Sequence, residues 1–256
     1  MTTTLTRPKI ALPARIYSPL AVLVFWQLGS SLGAIPERIL PAPTTILAAG
    51  WEVATNGTLL DALLVSSQRV LLGFALGAVL GISLGVLTGM FRFADTAVDP
   101  LIQAARALPH LGLVPLFIIW FGIGELPKVL IISLGVLYPL YLNTASGFRQ
   151  IDPKLLEAGH VMGFGFFQRL RTIIIPSAAP QLFVGLRQAS AAAWLSLIVA
   201  EQVNAREGLG FLINNARDFY RTDLVIFGLI VYATLGLLSE ALIRAWERHT
   251  FRYRNA

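Results

Sequence analysis

Long uncharged apolar runs, separated by short polar and mostly basic stretches, set the pattern of this chain. Runs at 16–36, 70–91, 107–124 and 129–148 each approach or exceed the ~20 residues that carry a helix across a bilayer. Two further runs qualify with a concession. Residues 181–200 contain Arg187, and 224–239 reach full length only by extending into Glu240 and Ile243. Six helical spans are predicted, and a polar stretch at 152–176 between the fourth and fifth has a helical pattern of its own.

In that stretch Asp152-Pro153 predicts a helix start: a carboxylate to cap free N–H groups, then a residue that has none. Residues 154–162 supply two to three turns, which Gly163 can end in the left-handed conformation. Residues 166–174 predict a second amphipathic helix, halted near Pro176. A loop that only joins two spans needs no pair of capped helices, so the device predicts a surface that holds another protein.

Other features refine the spans. The first follows Arg7, Lys9 and Arg15 but is longer than the ~7–15 apolar residues of a signal peptide, with no A-x-A site after it, so it reads as a retained helix. Glycines at 73, 77, 81, 85 and 89 lie four apart on one face of the second span, where another backbone can approach. That face suits packing within one subunit, or a sliding contact between moving helices. Pro109 and Pro115 bracket 111–114 and predict a bent third span, suited to a gate. Arg187 lies roughly 9 Å inside the fifth span at 1.5 Å per residue. It reads either as a snorkelling side chain or as an attractive charge on an anion's path. With Asn143 and Trp194 it is a candidate for lining a translocation path. Outside the spans, 37–69 holds Ile39-Leu40-Pro41-Ala42-Pro43, predicted extended, then an interfacial helix at 44–53. The segment 201–223 is polar and holds Gly208 and Gly210.

Composition agrees with a chain living in lipid. It is 55% hydrophobic and 13% charged, against about 25% charged in soluble domains. The net charge of +6 comes from clusters flanking apolar runs, with no basic stripe interleaved with aromatics, so nucleic acid is not a predicted partner. With an inner N-terminus, 13 of the 20 Lys and Arg fall inside: Arg7, Lys9, Arg15, Arg92, Arg106, Arg149, Lys154, Arg169, Arg171, Arg244, Arg248, Arg252 and Arg254. Only Arg38, Arg69, Arg206, Arg217 and Arg221 fall outside, with Lys128 and Arg187 in or beside spans. Both termini and the 152–176 loop are therefore predicted to be cytoplasmic. Cysteine is absent and His110, His160 and His249 are scattered, so no metal site is predicted. No Gly-Lys dipeptide occurs, which rules out a phosphate-binding G-x4-G-K-[ST] loop in this chain.

The pattern Glu157-Ala158-Gly159-x3-Gly163-x9-Ile173-x-Ile175-Pro176 resembles the EAA loop of ABC-importer permeases, EAA-x3-G-x9-I-x-L-P, with Gly159 and Ile175 as departures. Arg38-Ile39-Leu40-Pro41-x-Pro43, Pro109-His110-Leu111, Trp120-Phe121-Gly122-Ile123 and Tyr138-Pro139-Leu140-Tyr141-Leu142-Asn143-Thr144 are similar to the nitrate/sulfonate/taurine branch, most like aliphatic-sulfonate permeases. The resemblance implies an all-α polytopic membrane protein with a type I ABC importer (MetI-like) transmembrane domain across 1–256. It implies a permease in a bacterial inner membrane, not an enzyme, working by alternating access as a homodimer. The implied partners are an ATPase subunit dimer, which carries ATP and Mg, and a periplasmic substrate-binding protein. Glu157, Ala158, Gly159, Gly163, Ile173 and Pro176 would form the ATPase-coupling contact. Taurine, nitrate and bicarbonate are alternative cargoes. A secondary transporter is the rival reading, but neither inverted repeats nor paired ionisable residues at mid-span are visible; a scaffold that transports nothing is another.

Overall fold

The computed structural model describes residues 12–203 and 205–251, and every described regular element is helical. Arg7, Lys9, Arg252 and Arg254 of the charge pattern lie outside the described residues. The helices are α1 (Leu12–Ser31), α2 (Pro43–Thr55), α3 (Thr58–Met90), α4 (Arg92–Ala107), α5 (Val114–Phe121), α6 (Glu125–Arg149), α7 (Pro153–Val161), α8 (Phe166–Arg169), α9 (Ile175–Gln202), α10 (Leu209–Asp218) and α11 (Thr222–Thr250).

Four continuous helical stretches are long and apolar enough to cross a membrane: Thr58–Met90, Glu125–Arg149, Phe166–Gln202 and Thr222–Thr250. The third span predicted from sequence is instead a broken pair. α4 and the stretch His110–Phe121 meet at 79°, which makes five spans if the pair crosses as one. The cause is local. Pro109 has no N–H to give, and Leu108 before it is extended at φ −75°, ψ 131°. His110–Leu113 then form a 3-10 turn, and Pro115 sits in the first turn of α5, where a proline is tolerated. α1 covers much of the first apolar run, but Arg15, Gln27 and two prolines dilute it and it is not among the four.

The chain divides into two compact units. One holds the described residues up to Leu59 with Leu212–Leu229. Here the chain turns at Ile39 and Leu40, whose N–H groups both reach Pro36 O, and is extended at Ala42. That shortens the predicted extended piece. Trp26 Nε1 donates to Pro41 O at 3.0 Å and Thr222 Oγ1 to Arg38 O at 2.9 Å. Arg221 bridges Asp223 at 3.0 Å and Glu52 at 3.1 Å. Those two carboxylates raise its already high pKa, so it stays charged.

The other unit holds Leu60–Phe211 and the described residues from Ile230 on, and its centre is α6. Every fourth residue of α3 from 73 to 89 is glycine, and each faces α6. A Cβ added at Gly73 would lie 2.5 Å from Ile132, at Gly81 2.7 Å from Leu137 O, at Gly85 2.6 Å from Thr144, and at Gly89 2.6 Å from Phe148. Gly77 meets Ser133 O and Val136 in the same way. Both helices advance together through these contacts, so α3 and α6 are parallel. On another face of α6 the order reverses: Gly135 meets Ser196, Asn143 meets Gly185, and Gly147 meets Ala178. α9 is thus antiparallel to α6. α11 in turn is antiparallel to α9, with Glu201–Tyr232, Trp194–Ser239 and Arg187–Glu247 in register.

Candidate functional site

The parallel and antiparallel order gives this unit two ends, each with its own chemistry. At one end the 152–176 stretch follows α6. Asp152 accepts from Lys154 N–H at 2.9 Å and Pro153 opens α7, so the start is capped as the sequence predicts. The stop is a Schellman motif: Phe164 N–H reaches Gly159 O at 2.9 Å and Gly163 N–H reaches His160 O at 3.0 Å, with Gly163 at φ 76°.

Beyond Gly165 the expectation of a second helix halted near Pro176 is overturned. α8 runs through a π turn at Leu170–Ile174 directly into α9, as one stretch from Phe166 to Gln202. Pro176 sits in the first turn of α9, and the π turn before it re-spaces the carbonyls that the proline ring would otherwise strike. α7 is pressed onto this turn at Gly159, which is buried. A Cβ there would lie 2.6 Å from Ile173 Cδ1 and 3.4 Å from Arg169 Cγ. Gly159 and Ile173, fourteen residues apart, therefore fit each other.

Glu157 and Ala158 remain exposed on α7. Around them lies an apolar surface that no described residue covers: Val161 is 88% and Phe167 82% exposed, with Leu155, Met162 and Phe166 also open. The stretch thus presents a carboxylate within an apolar patch on a short, doubly capped helix. That arrangement can seat in the groove of another protein, and it contains no group poised for covalent chemistry.

The path candidates all have partners. Asn143, buried between α6 and α9, donates to Gln188 Oε1 at 2.9 Å and accepts from Gln181 Nε2 at 2.8 Å. Arg187 forms an ion pair with Glu247. Trp194 Nε1 donates to Ser239 Oγ at 3.0 Å. Arg187 and Trp194 share the face of α9 toward α11, whereas Asn143 sits against Gly185. The five glycines of α3 serve packing within this chain, as described above. No group of metal-ligating side chains is found among the described residues.

At the other end is a cluster that sequence reasoning missed. Glu201, fully buried, accepts from Ser66 Oγ at 2.8 Å, Arg69 Nη1 at 2.6 Å, Gly210 N–H at 2.8 Å and Tyr232 Oη at 2.6 Å. Arg69 also donates to Glu207 O at 2.8 Å and to Glu125, which in turn accepts from Lys128 Nζ at 2.8 Å. Gly208, at φ 98°, lets the backbone lie on this cluster, since a Cβ there would meet Glu201, Arg69 and Ser66. The signal was present in each charge beside or within an apolar run, but partners up to 138 residues apart leave no local pattern.

A family model described as "Binding-protein-dependent transport system inner membrane component" matches residues 77–252. Two relatives are named as aliphatic sulfonates transport permease proteins. The one from Escherichia coli (strain K12) is 40% identical over 94% of this chain and 91% of its own length. The one from Bacillus subtilis (strain 168) is 38% identical over 93% and 86%. The taurine transport system permease protein of Escherichia coli (strain K12) is 33% identical over 89% and 84%. Among solved structures, an amino acid ABC transporter aligns with 77% of this chain and 96% of its own, at TM-score 0.63 and 17% identity. The MetNI methionine ABC transporter, in inward-facing conformations, aligns with 75% and 97% at TM-score 0.57 and 17% identity.

Proposed function

This chain belongs to the family of inner membrane components of binding-protein-dependent transport systems, and from that premise we propose that it carries aliphatic sulfonates across the membrane. Its established part is that of a multi-span importer permease with the MetI-like fold, a transport component and not an enzyme. Family membership implies association with an ATPase and a substrate-binding protein.

In the proposed cycle two copies of this chain pair with two ATPase subunits, which hold the ATP and Mg. The exposed Glu157 and the apolar patch of Val161, Met162 and Phe167 seat in the ATPase. Closure of the ATPase pair drags α7, and α7 is pressed against the π turn that leads into α9, so its movement enters the bundle there. The charge pattern supports placing this end in the cytoplasm and the Glu201 cluster at the outer face. A loaded periplasmic binding protein biases the outer face, ATP biases the inner face, and a two-state pair of permeases alternates between them.

The observation that carries this reading is the loop itself: a doubly capped helix with an open apolar surface around Glu157, at the spacing of the EAA pattern. The sulfonate cargo is supported by relatives at 38% and 40% identity. The test is growth of a deletion strain on single sulfur or nitrogen sources. Failure on alkanesulfonates, rescued by the intact gene but not by Glu157→Lys, is expected. Glu157→Lys should also lose the ATPase on co-purification. Normal growth on alkanesulfonates with failure on taurine or nitrate would replace the cargo and keep the permease.

A further inference from the structure

The cluster at the end opposite the EAA-like loop is electrically lopsided once its exposed member is set apart. Arg69 and Lys128 are buried, at 4% and 8% side-chain exposure, and Glu201 is fully buried. These three sum to one positive charge. The neutralising group is Glu125, whose side chain is 60% exposed. Glu125 takes Arg69 with both oxygens, at 2.5 and 2.7 Å, and Lys128 at 2.8 Å. It therefore lies over two buried cations as a carboxylate lid, open to water on its other side.

Beside Lys128 is an apolar cleft lined by Val114, Ile118, Ile123, Pro127, Ile131 and Ala200. Its cavity of about 10 Å³ is the size of a water, so the cleft must widen to take a longer tail, whereas displacing the Glu125 carboxylate frees the two cations for a head group. A paired guanidinium and ammonium over an apolar wall is the chemistry that recognises a small organic anion: charge-assisted hydrogen bonds to the head, apolar contact to the tail.

We propose that Arg69 and Lys128 form an anion subsite on this chain, that Glu125 is its tethered competitor, and that an alkyl sulfonate or carboxylate with a short tail binds by displacing the Glu125 carboxylate. The role as cargo subsite rests on the permease reading above and on the orientation given there, which puts this end at the outer face. A tethered competitor suits a transit site. The incoming anion replaces an existing ion pair, so binding stays weak and the anion can leave. It also accounts for two buried cations whose shared counter-ion is exposed.

The test uses the permease with its ATPase in phosphatidylcholine nanodiscs, with methanesulfonate as the probe. Dimethyl sulfone is the uncharged control of similar size, and chloride controls for ionic strength. Glu125→Gln keeps the volume of the lid and removes its charge. An ion pair with one exposed partner is worth about 1 kcal/mol, so methanesulfonate should bind about fivefold tighter to the variant than to the native chain. Lys128→Met should abolish binding and Lys128→Arg should restore it, the second variant guarding against misfolding in the first.

No methanesulfonate binding beyond that of chloride, equal binding of dimethyl sulfone, or no tightening in Glu125→Gln would overturn the subsite. Loss of methanesulfonate binding when phosphatidylglycerol is added would assign the cations to lipid headgroups and overturn the cargo role. ATP-driven uptake, measured in proteoliposomes with the binding protein, separates the two readings. If no sulfonate uptake occurs at all, the permease proposal falls. If uptake continues with identical half-saturation in native and Glu125→Gln chains, only the subsite falls.

Discussion

Replacing Gly85 by alanine sets two known effects against each other, and the structure decides the sign. A glycine within a helix costs about 1 kcal/mol relative to alanine, so propensity alone favours the substitution. Against it, the added methyl would lie 2.6 Å from Thr144 Cβ and 2.9 Å from Tyr141 O. Ordinary contact begins at 3.4 Å, so α3 and α6 must part by several tenths of an ångström, and a backbone carbonyl cannot rotate away. Forcing a methyl into such a contact costs about 1–3 kcal/mol. A helix pair packed through five successive glycines has no slack to share, which places the cost at the upper end.

The net expectation is a loss of about 1–2 kcal/mol, or a melting temperature lower by roughly 2–8 °C for a chain of this size. Gly236→Ala in α11 is the matched control. Its nearest neighbour is Trp194 Cδ1 at 3.9 Å, so only the propensity gain remains and stability should rise. Thermal unfolding of the purified protein in one detergent, followed by tryptophan fluorescence, measures both. Gly85→Ala as stable as the native chain would refute the close α3–α6 packing.

Five other substitutions probe the remaining features. Glu201→Gln leaves Arg69 buried beside a neutral amide and should cost about 3–5 kcal/mol. Tyr232→Phe removes only one hydrogen bond to that carboxylate and should cost about 1–2 kcal/mol; chemical denaturation of the two side by side tests the order, and equal losses would sink it. Arg187→Leu and Glu247→Leu should each lower stability and transport, and the double variant should recover part of the stability. Strict additivity in the double-mutant cycle would mean the pair does not interact. Gly163→Ala forces an alanine to φ 76° and should cost about 1 kcal/mol locally. It is expected to weaken ATPase co-purification while leaving the melting temperature of the spans unchanged, and undiminished co-purification would show that the Schellman stop is not needed for docking.

What could be read from the chain beforehand was whatever local chemistry dictates. Asp152-Pro153 and Gly163 cap their helix because the capping groups lie within one turn of the backbone atoms they satisfy. The glycine face of α3 is equally local, since a period of four on a helix needs no knowledge of the partner; that the partner is α6, in parallel, was not legible. Proline gave half an answer at two places. Pro109 predicts a bend, but a missing N–H does not by itself give its size, the 79° at which α4 meets the next stretch. Pro176 predicts a stop, yet the chain passes through it because a π turn immediately upstream changes which carbonyls face the ring. Gly159 is in sequence only a departure from alanine, whereas against Ile173 it fixes how closely α7 lies on the turn below it.

The charge cluster was the least legible feature, for a physical reason. A charge beside an apolar run ordinarily marks where the span ends, which puts Arg69 and Glu201 in outer segments and Lys128 beside a span. α3 runs 33 residues, roughly 50 Å at 1.5 Å per residue, well beyond the ~30 Å hydrocarbon core. A charge at its twelfth residue, Arg69, can therefore be helical, buried and still near headgroup depth. Composition counts that position as flank, but pairing with Glu201 and Glu125 makes it interior. Hydropathy reads the lipid as the only alternative to water, and in this bundle a third environment, the carboxylates of neighbouring helices, decides where Arg69 belongs.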